Sequence, residues 1–504
     1  MTELATDILR RFAPLFEPRT MVVVGASASG VTPGNEFIRH SRALGYRGRV
    51  IPLHPSAATV EGEPAVRSFA EIDGVVDYAY FAVAAAQVPD LIAGADGKLR
   101  FAHIMSSGFG EVEEGRDLER RLAEAASRAG VRVLGPNCMG VHSPRGGITF
   151  AGGSDPARGT VGVVSQSGGL AVDMLLRGRM RGLRYSALVT IGNSVDVGPA
   201  ELLEFFVADP ETRVIGFYLE DVKDGRRFFN ALRAARAAKP VVLLLGGQTA
   251  QGRQAAASHT GSLASDLAHW QGLVRQTGVS LVSSLDEFLD ALLAFQTLAP
   301  RHGGPTRRVV LFGNGGGTSV LATDEFGRRG LGVAPMAQAA IDALAALKLP
   351  PGTSIVNPID APAGTLRQQE GRIAERILDC VFELAAPDAV VMHINLPVFV
   401  SSADQRADFL ANLVAAAIRV RQKHADGPHF LLVLRSDGSE AAEARRREFR
   451  GIAVGQGIPV YDEMLNAAQA LAAVSAYERF IVARAAEACA ARGRVFPALA
   501  RSTA

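Results

Sequence analysis

Cysteine is scarce in this sequence. Cys138, Cys380 and Cys489 are the only 3 among 504 residues, too few for a disulfide framework or a four-thiolate zinc site. Their scarcity points to a reducing compartment, and we expect the cytoplasm. Long apolar runs are missing as well: no stretch approaches the roughly 18 residues that span a bilayer, and residues 1–10 lack the basic-then-apolar profile of a signal peptide. An excess of one charge is also lacking. The 53 basic and 51 acidic residues leave a net +2, so no strong field attracts nucleic acid or an anionic membrane, and neither is expected as a partner. Lysine is confined to Lys98, Lys223, Lys239, Lys348 and Lys423; arginine supplies the other basic charges, spread along the chain.

What is present is the composition of a globular protein, 48% hydrophobic and 21% charged. At about 150 residues per domain the length predicts roughly three domains. Short β-branched runs, glycine-rich turns and alanine- and arginine-rich helical stretches recur along the whole chain. Runs at 21–25, 49–53, 77–83, 101–105 and 131–134 read as strands, with a helix over 35–44. Continuous apolar runs separated by helix-length stretches imply a parallel sheet covered on both faces, hence one doubly wound domain over residues 1–147. Gly146, Gly147, Gly152, Gly153 and Pro156 make a linker. Strands at 160–164, 185–191, 214–219 and 241–245 define a domain over 148–302. After Arg301, Gly303, Gly304 and Pro305, strands at 308–312, 389–394 and 429–434 define a third over 303–504. The second and third sets are laid out alike, each opening with a strand and a small-residue turn. The alanine-rich stretch 465–494 reads as a closing helix pair.

The chemistry-bearing residues fall in loops at strand ends. Gly25-Ala26-Ser27-Ala28-Ser29-Gly30 closes the first strand, where loop N–H groups and helix dipoles attract phosphate; a tight turn without ligand fits it too. The dinucleotide pattern GxGxxG is absent, and the second strand ends in His54-Pro55 rather than an acidic ribose ligand, which disfavours a nicotinamide enzyme. Ser106-Ser107-Gly108-Phe109-Gly110 and Gly135-Pro136-Asn137-Cys138-Met139-Gly140 are two further loops whose small residues let a ligand approach the backbone. Cys138 reads as a packing residue before a nucleophile. Ser165-Gln166-Ser167-Gly168-Gly169 ends a strand and opens a helix; Ser165 or Ser167 serves as an N-cap, and the glycines expose N–H groups to a phosphate. His259 stands among small residues in Ser258-His259-Thr260-Gly261-Ser262, in what reads as a movable loop, and its ring nitrogen is a competent nucleophile toward phosphoryl groups. No histidine or carboxylate lies three or four residues from it, so no metal site is expected. Glu220 and Asp221 end the strand 214–219, where a carboxylate is either solvated or orients a histidine.

Taken together, these segments resemble the α-type chain of the NDP-forming acyl-CoA synthetases, the superfamily of succinyl-CoA synthetase and ADP-forming acetyl-CoA synthetase. The resemblance runs from about residue 15 to about residue 475. It is carried by the His259 segment, Gly135 to Cys138, Ser165 to Gly169, Gly192-Asn193 with Asp196, Tyr218-Leu219-Glu220 with Lys223-Asp224-Gly225, Asn314-Gly315-Gly316-Gly317 with Asp324, and Asn357-Pro358-Ile359-Asp360. It implies an α/β fold: a Rossmann-like CoA-binding domain followed by two flavodoxin-like doubly wound parallel-sheet domains. It implies CoA as cofactor, held near Gly25, Ser27, Pro33, Gly34, Asn35, Ser107, Gly108 and Glu111, with Asn137 and Cys138 near the thiol. It also implies phosphorylation of His259, a supporting role for Glu220, and a phosphate cradle at Ser165, Ser167, Gly168 and Gly169.

The reaction implied interconverts acyl-CoA, phosphate and ADP with a small carboxylic acid, CoA and ATP, through an acyl phosphate and a phosphohistidine. No stretch here resembles the ATP-grasp domain that carries ATP or ADP and Mg²⁺ in the superfamily. A separate ATP-grasp β-type subunit is therefore expected, in a hetero-oligomer or with the chain as a homodimer. Three positions depart from the pattern: Leu245 and Gln248 stand where Lys and Arg are common, and His54 where Asn is common. The alternative is a CoA- or acyl-CoA-binding protein, or an acyl or carbamoyl transferase, that uses the same fold without ATP.

Overall fold

The computed structural model describes residues 3–235, 237–260, 267–400 and 408–493. The chain forms two compact units, residues 1–179 with 183–288, and residues 180–182 with 289–504.

Among the described residues, the first unit contains two large sheets and a two-stranded antiparallel pairing of Thr59–Val60 with Glu63–Pro64. In the first, β1 (Thr20–Val24), β2 (Arg49–Leu53), β3 (Val76–Phe81), β4 (Leu99–Ile104) and β5 (Arg132–Leu134) are parallel and lie in the order β2-β1-β3-β4-β5. Their apolar runs are buried on both faces by the intervening helices, which is why they read as continuous rather than alternating. The second sheet adds β6 (Val141–His142), β7 (Val161–Ser165), β8 (Tyr185–Thr190), β9 (Val214–Leu219), β10 (Val241–Leu245) and β11 (Ser280–Val282), in the order β11-β10-β9-β7-β8-β6. All pair in parallel except β6, which joins β8 antiparallel. Thus a strand lying within residues 1–147 completes the second sheet; at two residues it leaves no periodic signal in the sequence.

The helix Glu3–Phe16 buries Ile8, Phe12, Leu15 and Phe16, the i, i+4, i+7, i+8 stripe of an amphipathic helix. Phe16 stacks on Phe205 of the helix Pro199–Ala208 at 4.2 Å between ring centroids. Phe12 packs on Phe101 of β4 and on Phe205, at 5.7 Å in both cases. One aromatic cluster therefore ties the two sheets together.

The second unit holds β12 (Val309–Gly313), β13 (Ile359–Asp360), β14 (Ala389–Asn395), β15 (His429–Arg435) and β16 (Val460–Tyr461), parallel and in the order β13-β12-β14-β15-β16. The helix Met464–Gly493 is one continuous element of 30 residues, not the pair expected. No proline or internal glycine interrupts it, so nothing in the chain breaks it. Among the described residues no helix is long and apolar enough to cross a membrane.

The parallel strands of the three large sheets share one winding, with the second strand outside the first and the third to fifth on its other side. In each, the direction of winding reverses between the first and third strands, the point where open α/β sheets hold ligands beyond their carboxyl ends.

Candidate functional site

In the first unit the reversal points of both sheets open into one cleft of ≈ 920 Å³. The first sheet lines it with Pro33, with Ala82 to Ala85 after β3, with Met105 to Ser107 after β4, and with Asn137 to Met139 after β5. The second sheet contributes Gln166 to Gly169 after β7, Gly192 and Asn193 after β8, and Asp221 and Lys223 after β9. Arg116, Glu119 and Arg120 of the helix Arg116–Ala129 complete the wall. Of the residues singled out from sequence, Pro33, Ser107, Asn137, Cys138, Ser167, Gly168 and Gly169 line this cleft; Gly25, Ser27, Gly34, Asn35, Gly108, Glu111, Ser165 and Glu220 do not.

Those that do not line it build the loops. Gly25 has φ +101°, and an added Cβ would stand 2.2 Å from the Ala82 carbonyl oxygen, so neither conformation nor space admits another residue. Gly34 packs as tightly, a Cβ there falling 2.7 Å from the Ala26 nitrogen. Asn35 is buried, and its side chain organises the turn: Oδ1 accepts the Ser27 N–H at 2.9 Å, the Thr32 N–H at 3.1 Å and the Thr32 hydroxyl at 2.7 Å. Its Nδ2 donates to Ser27 O at 2.9 Å and to Glu61 Oε1 at 2.7 Å. Ser27 Oγ in turn accepts from the Gly30 N–H at 3.0 Å. His54 caps the next strand with Nδ1 accepting from the amides of Ser56 and Ala57, the work an asparagine does in an Asx-turn.

After β4, Glu111 Oε1 accepts the Gly108 N–H at 2.5 Å, and both its oxygens lie 3.2 Å from the Phe109 nitrogen. Burial works against the charged carboxylate, but the amides of Asn193, Gly108 and Phe109 outweigh it and hold the Glu111 carboxyl below its ordinary range. Asn193 Nδ2 donates to Glu111 at 2.6 Å and to Glu119 at 2.8 Å, and Lys223 approaches Glu119 at 3.6 Å. Gly192 makes this possible: a Cβ there would lie 2.2 Å from the Pro136 carbonyl oxygen. Asn193 and Lys223 thus lock the second sheet's loops to the first sheet's. Sequence alone marked the Gly192-Asn193 pair but not this bridging, whose carboxylate partners lie some eighty residues away.

Cys138 is buried, and burial pushes its thiol up to about 12. A protonated thiol is a poor nucleophile; Cys138 shapes the cleft wall, its Sγ 3.8 Å from the Ile104 carbonyl.

In the second sheet the Ser165 hydroxyl donates to Ser167 O at 2.7 Å, closing the turn. Ser167 Oγ accepts the Leu170 N–H at 3.3 Å and caps the helix Gly168–Arg181. Gly168 admits the Met139 side chain, whose Cγ would lie 2.6 Å from an added Cβ, while Gly169 has nothing within 4 Å of such a position. The start of a 14-residue helix, with its free N–H groups and positive dipole end, therefore faces the cleft.

Gln166, quoted in the motif but given no role from sequence, is the bracket of this region. Its Oε1 accepts the N–H groups of Glu220 at 2.8 Å and Asp221 at 3.0 Å, and its own N–H donates to Tyr218 O at 3.0 Å. Glu220 is buried, and its Oε1 accepts the Tyr218 hydroxyl at 2.9 Å. Gln248, in the loop after β10, donates to the carbonyls of Leu245 and Val282, both at 3.2 Å, tying the ends of β10 and β11 together. The segment before His259, expected as loop, is helix from Ala250 to Thr260, as its run of alanines favours. His259 falls in the last turn of that helix; its side chain, and residues 261–266, lie outside the described residues.

Comparison with known proteins agrees with this arrangement. A family described as a CoA binding domain matches residues 19–144, and one described as a succinyl-CoA ligase like flavodoxin domain matches residues 158–295. The α subunit of acetate–CoA ligase [ADP-forming] I from Pyrococcus furiosus is 32% identical over 479 residues, covering 92% of this chain and 97% of that protein. The α subunit of the second such ligase from the same organism is 33% identical over 365 residues, 72% of this chain and 79% of that one. Among solved structures, the dinucleotide-forming acetyl-coenzyme A synthetase 1 of Ca. Korarchaeum cryptofilum, in complex with phosphate and ADP, matches with a TM-score of 0.80 at 26% identity, over 94% of this chain and 98% of its own. With its CoA-binding sheet, its flavodoxin-like sheets and relatives aligned over nearly their whole length, the chain belongs to the NDP-forming acyl-CoA synthetase superfamily, among the α-type chains.

Proposed function

We propose that this chain is the α-type subunit of an ADP-forming acyl-CoA synthetase, an acid–thiol ligase that interconverts acyl-CoA, phosphate and ADP with a small carboxylic acid, CoA and ATP. One observation carries the reading: the loops of a CoA-binding sheet and the N-terminus of a glycine-opened helix face the same cleft. A thioester and an inorganic phosphate bound there would meet. CoA would lie against Pro33, Ser107, Asn137 and Cys138, in loops whose shape is set by Gly25, Ser27, Gly34, Asn35, Gly108 and Glu111. Phosphate would sit on the amides that follow Ser165 and Ser167, at Gly168 and Gly169.

The phosphate oxygen attacks the thioester carbonyl, forming a C–O bond as the C–S bond breaks and CoA leaves. A ring nitrogen of His259 then takes the phosphoryl group, and the carboxylic acid departs. Glu220 holds the other ring nitrogen and offsets the positive charge that develops. Each step exchanges one high-energy bond for another, so the protein's work is positioning and charge stabilisation. The phosphohistidine passes its phosphoryl group to ADP with Mg²⁺ on a separate ATP-grasp β-type subunit, the partner that the α-subunit names of the relatives support. We place the reaction in the cytoplasm, where thiols are kept reduced, in keeping with a chain of only 3 cysteines.

The test is to incubate the purified chain with radiolabelled phosphate and a panel of acyl-CoAs, beside His259→Ala. Acid-labile, base-stable label on the wild type alone is expected, and the acyl-CoA that supports it names the substrate. An unlabelled wild type, with and without an ATP-grasp partner, would instead favour a CoA-binding protein that performs no phosphoryl transfer.

A further inference from the structure

Residues 218 and 220 point to the same face at the carboxyl end of β9, because side chains alternate along a strand. Leu219 between them turns into the core and is fully buried. Tyr218 and Glu220 therefore meet side by side, the phenol donating to Glu220 Oε1 at 2.9 Å. Gly246, just past β10, leaves the room for both: an added Cβ would lie 2.8 Å from Glu220 Cγ and 2.9 Å from the Tyr218 hydroxyl. Gln166 fixes the main chain of the same corner from the other side. Burial and the neighbouring carboxylate push the Tyr218 phenol above its ordinary range, so it stays a neutral donor.

We infer that Tyr218 is a positioning residue for phosphoryl transfer, its hydroxyl fixing the Glu220 carboxylate in the orientation that holds the His259 ring. The inference rests on the roles proposed above for Glu220 and His259. A neutral donor suits the task better than a cation. An arginine or lysine in its place would cancel the carboxylate's charge, whereas a phenol orients the carboxylate and leaves its charge to face the imidazole. In the step concerned, a lone pair of one ring nitrogen forms the N–P bond while the P–O bond to the acyl group breaks. The departing carboxylate keeps that electron pair. The proton on the second ring nitrogen stays in place, hydrogen-bonded to Glu220, so the positive phosphoimidazolium faces a fixed negative charge.

Tyr218→Phe keeps the ring and removes only the donor. Using the full chain with acetyl-CoA, or whichever acyl-CoA supports labelling, and radiolabelled phosphate, the rate of His259 labelling in this variant falls about tenfold, the scale of one hydrogen bond to a charged group. The acyl-CoA concentration at half-saturation and the melting temperature stay near wild type. The double variant Tyr218→Phe/Glu220→Gln is no slower than Glu220→Gln alone, because the phenol acts only through that carboxylate. A general structural role would instead give losses that multiply. Wild-type labelling in Tyr218→Phe, or a multiplied loss in the double variant, overturns the inference and leaves phosphohistidine chemistry standing. A wild type that stays unlabelled with and without an ATP-grasp partner overturns both.

Discussion

At the scale of single residues, the loops around the cleft are held by side chains that do not line it. Asn35 is the clearest case. Its amide makes five hydrogen bonds, every one to the turn it closes or to Glu61. Asn35→Ala leaves the amides of Ser27 and Thr32 without their acceptor, at a cost of about 1–3 kcal/mol. CoA affinity is expected to fall with stability, although Asn35 does not line the cleft. Urea unfolding and calorimetric CoA titration of the same variant check both, and an Asn35→Ala chain with wild-type CoA affinity would show that the turn plays no part in binding. Gly25 and Ser27 are legible as a small-residue turn closing an apolar strand, whereas Asn35 joins them only through the family resemblance. The sequence did not separate the residues that touch a ligand from those that shape its loop, because that division depends on which way each side chain turns.

Among elements, the Arg145 cation is one of the ties at the junction between the first unit's two large sheets. The Arg145 guanidinium lies over the rings of Phe16 and Phe205, 5.6 and 5.4 Å from their centroids, and donates to the buried Asp209 carboxylate at 2.8 Å. Removing the charge in Arg145→Met strips Asp209 of this ion pair and costs about 3 kcal/mol. Pairing it with Asp209→Asn removes the stranded charge and recovers part of that loss. Urea melts of the single and double variants read this directly; a double variant less stable than Arg145→Met alone would assign the loss to ring packing instead. Strand interiors such as 214–219 and 241–245 were read residue for residue, because five or six apolar residues in a row admit few other structures. Four short edge strands were not: Val141–His142, Ser280–Val282, Ile359–Asp360 and Val460–Tyr461 are two or three residues long and gain their structure from the neighbour they pair with. The helix Ala250–Thr260 was missed for the opposite reason, its small residues having been read as a loop despite their helix propensity.

For the molecule as a whole, the threefold use of one winding was legible as a recurring strand, turn and helix pattern, while strand order was not, since order follows from crossovers that leave no local trace. The same buried sheets set the response to acid. His103 sits between the Tyr78 hydroxyl at 2.6 Å and the Cys138 carbonyl at 3.0 Å; His142 lies by Thr149 and His393 by Ser319. Burial lowers all three to about 4, with Arg435 adding to the effect at His393. Each is a base whose folded pKa lies below its unfolded value of about 6.5. Above that value neither state holds the proton, and stability is at its full level. As the pH falls from about 6.5 toward 4 the unfolded chain takes up protons that the folded chain refuses, and each histidine costs about 1.4 kcal/mol per pH unit in that window. Most of this window lies above the ordinary carboxylate range, so histidines dominate it. The melting temperature is expected to be level from pH 8 to 6.5 and to drop steadily from 6.5 to 4.5. Phe is apolar and of similar size to the imidazole that it would replace, and His142→Phe should make the drop shallower by one proton's share. Calorimetric scans at half-unit intervals decide it: a melting temperature that holds level down to pH 4.5 would mean that these rings take up protons without unfolding the sheets around them.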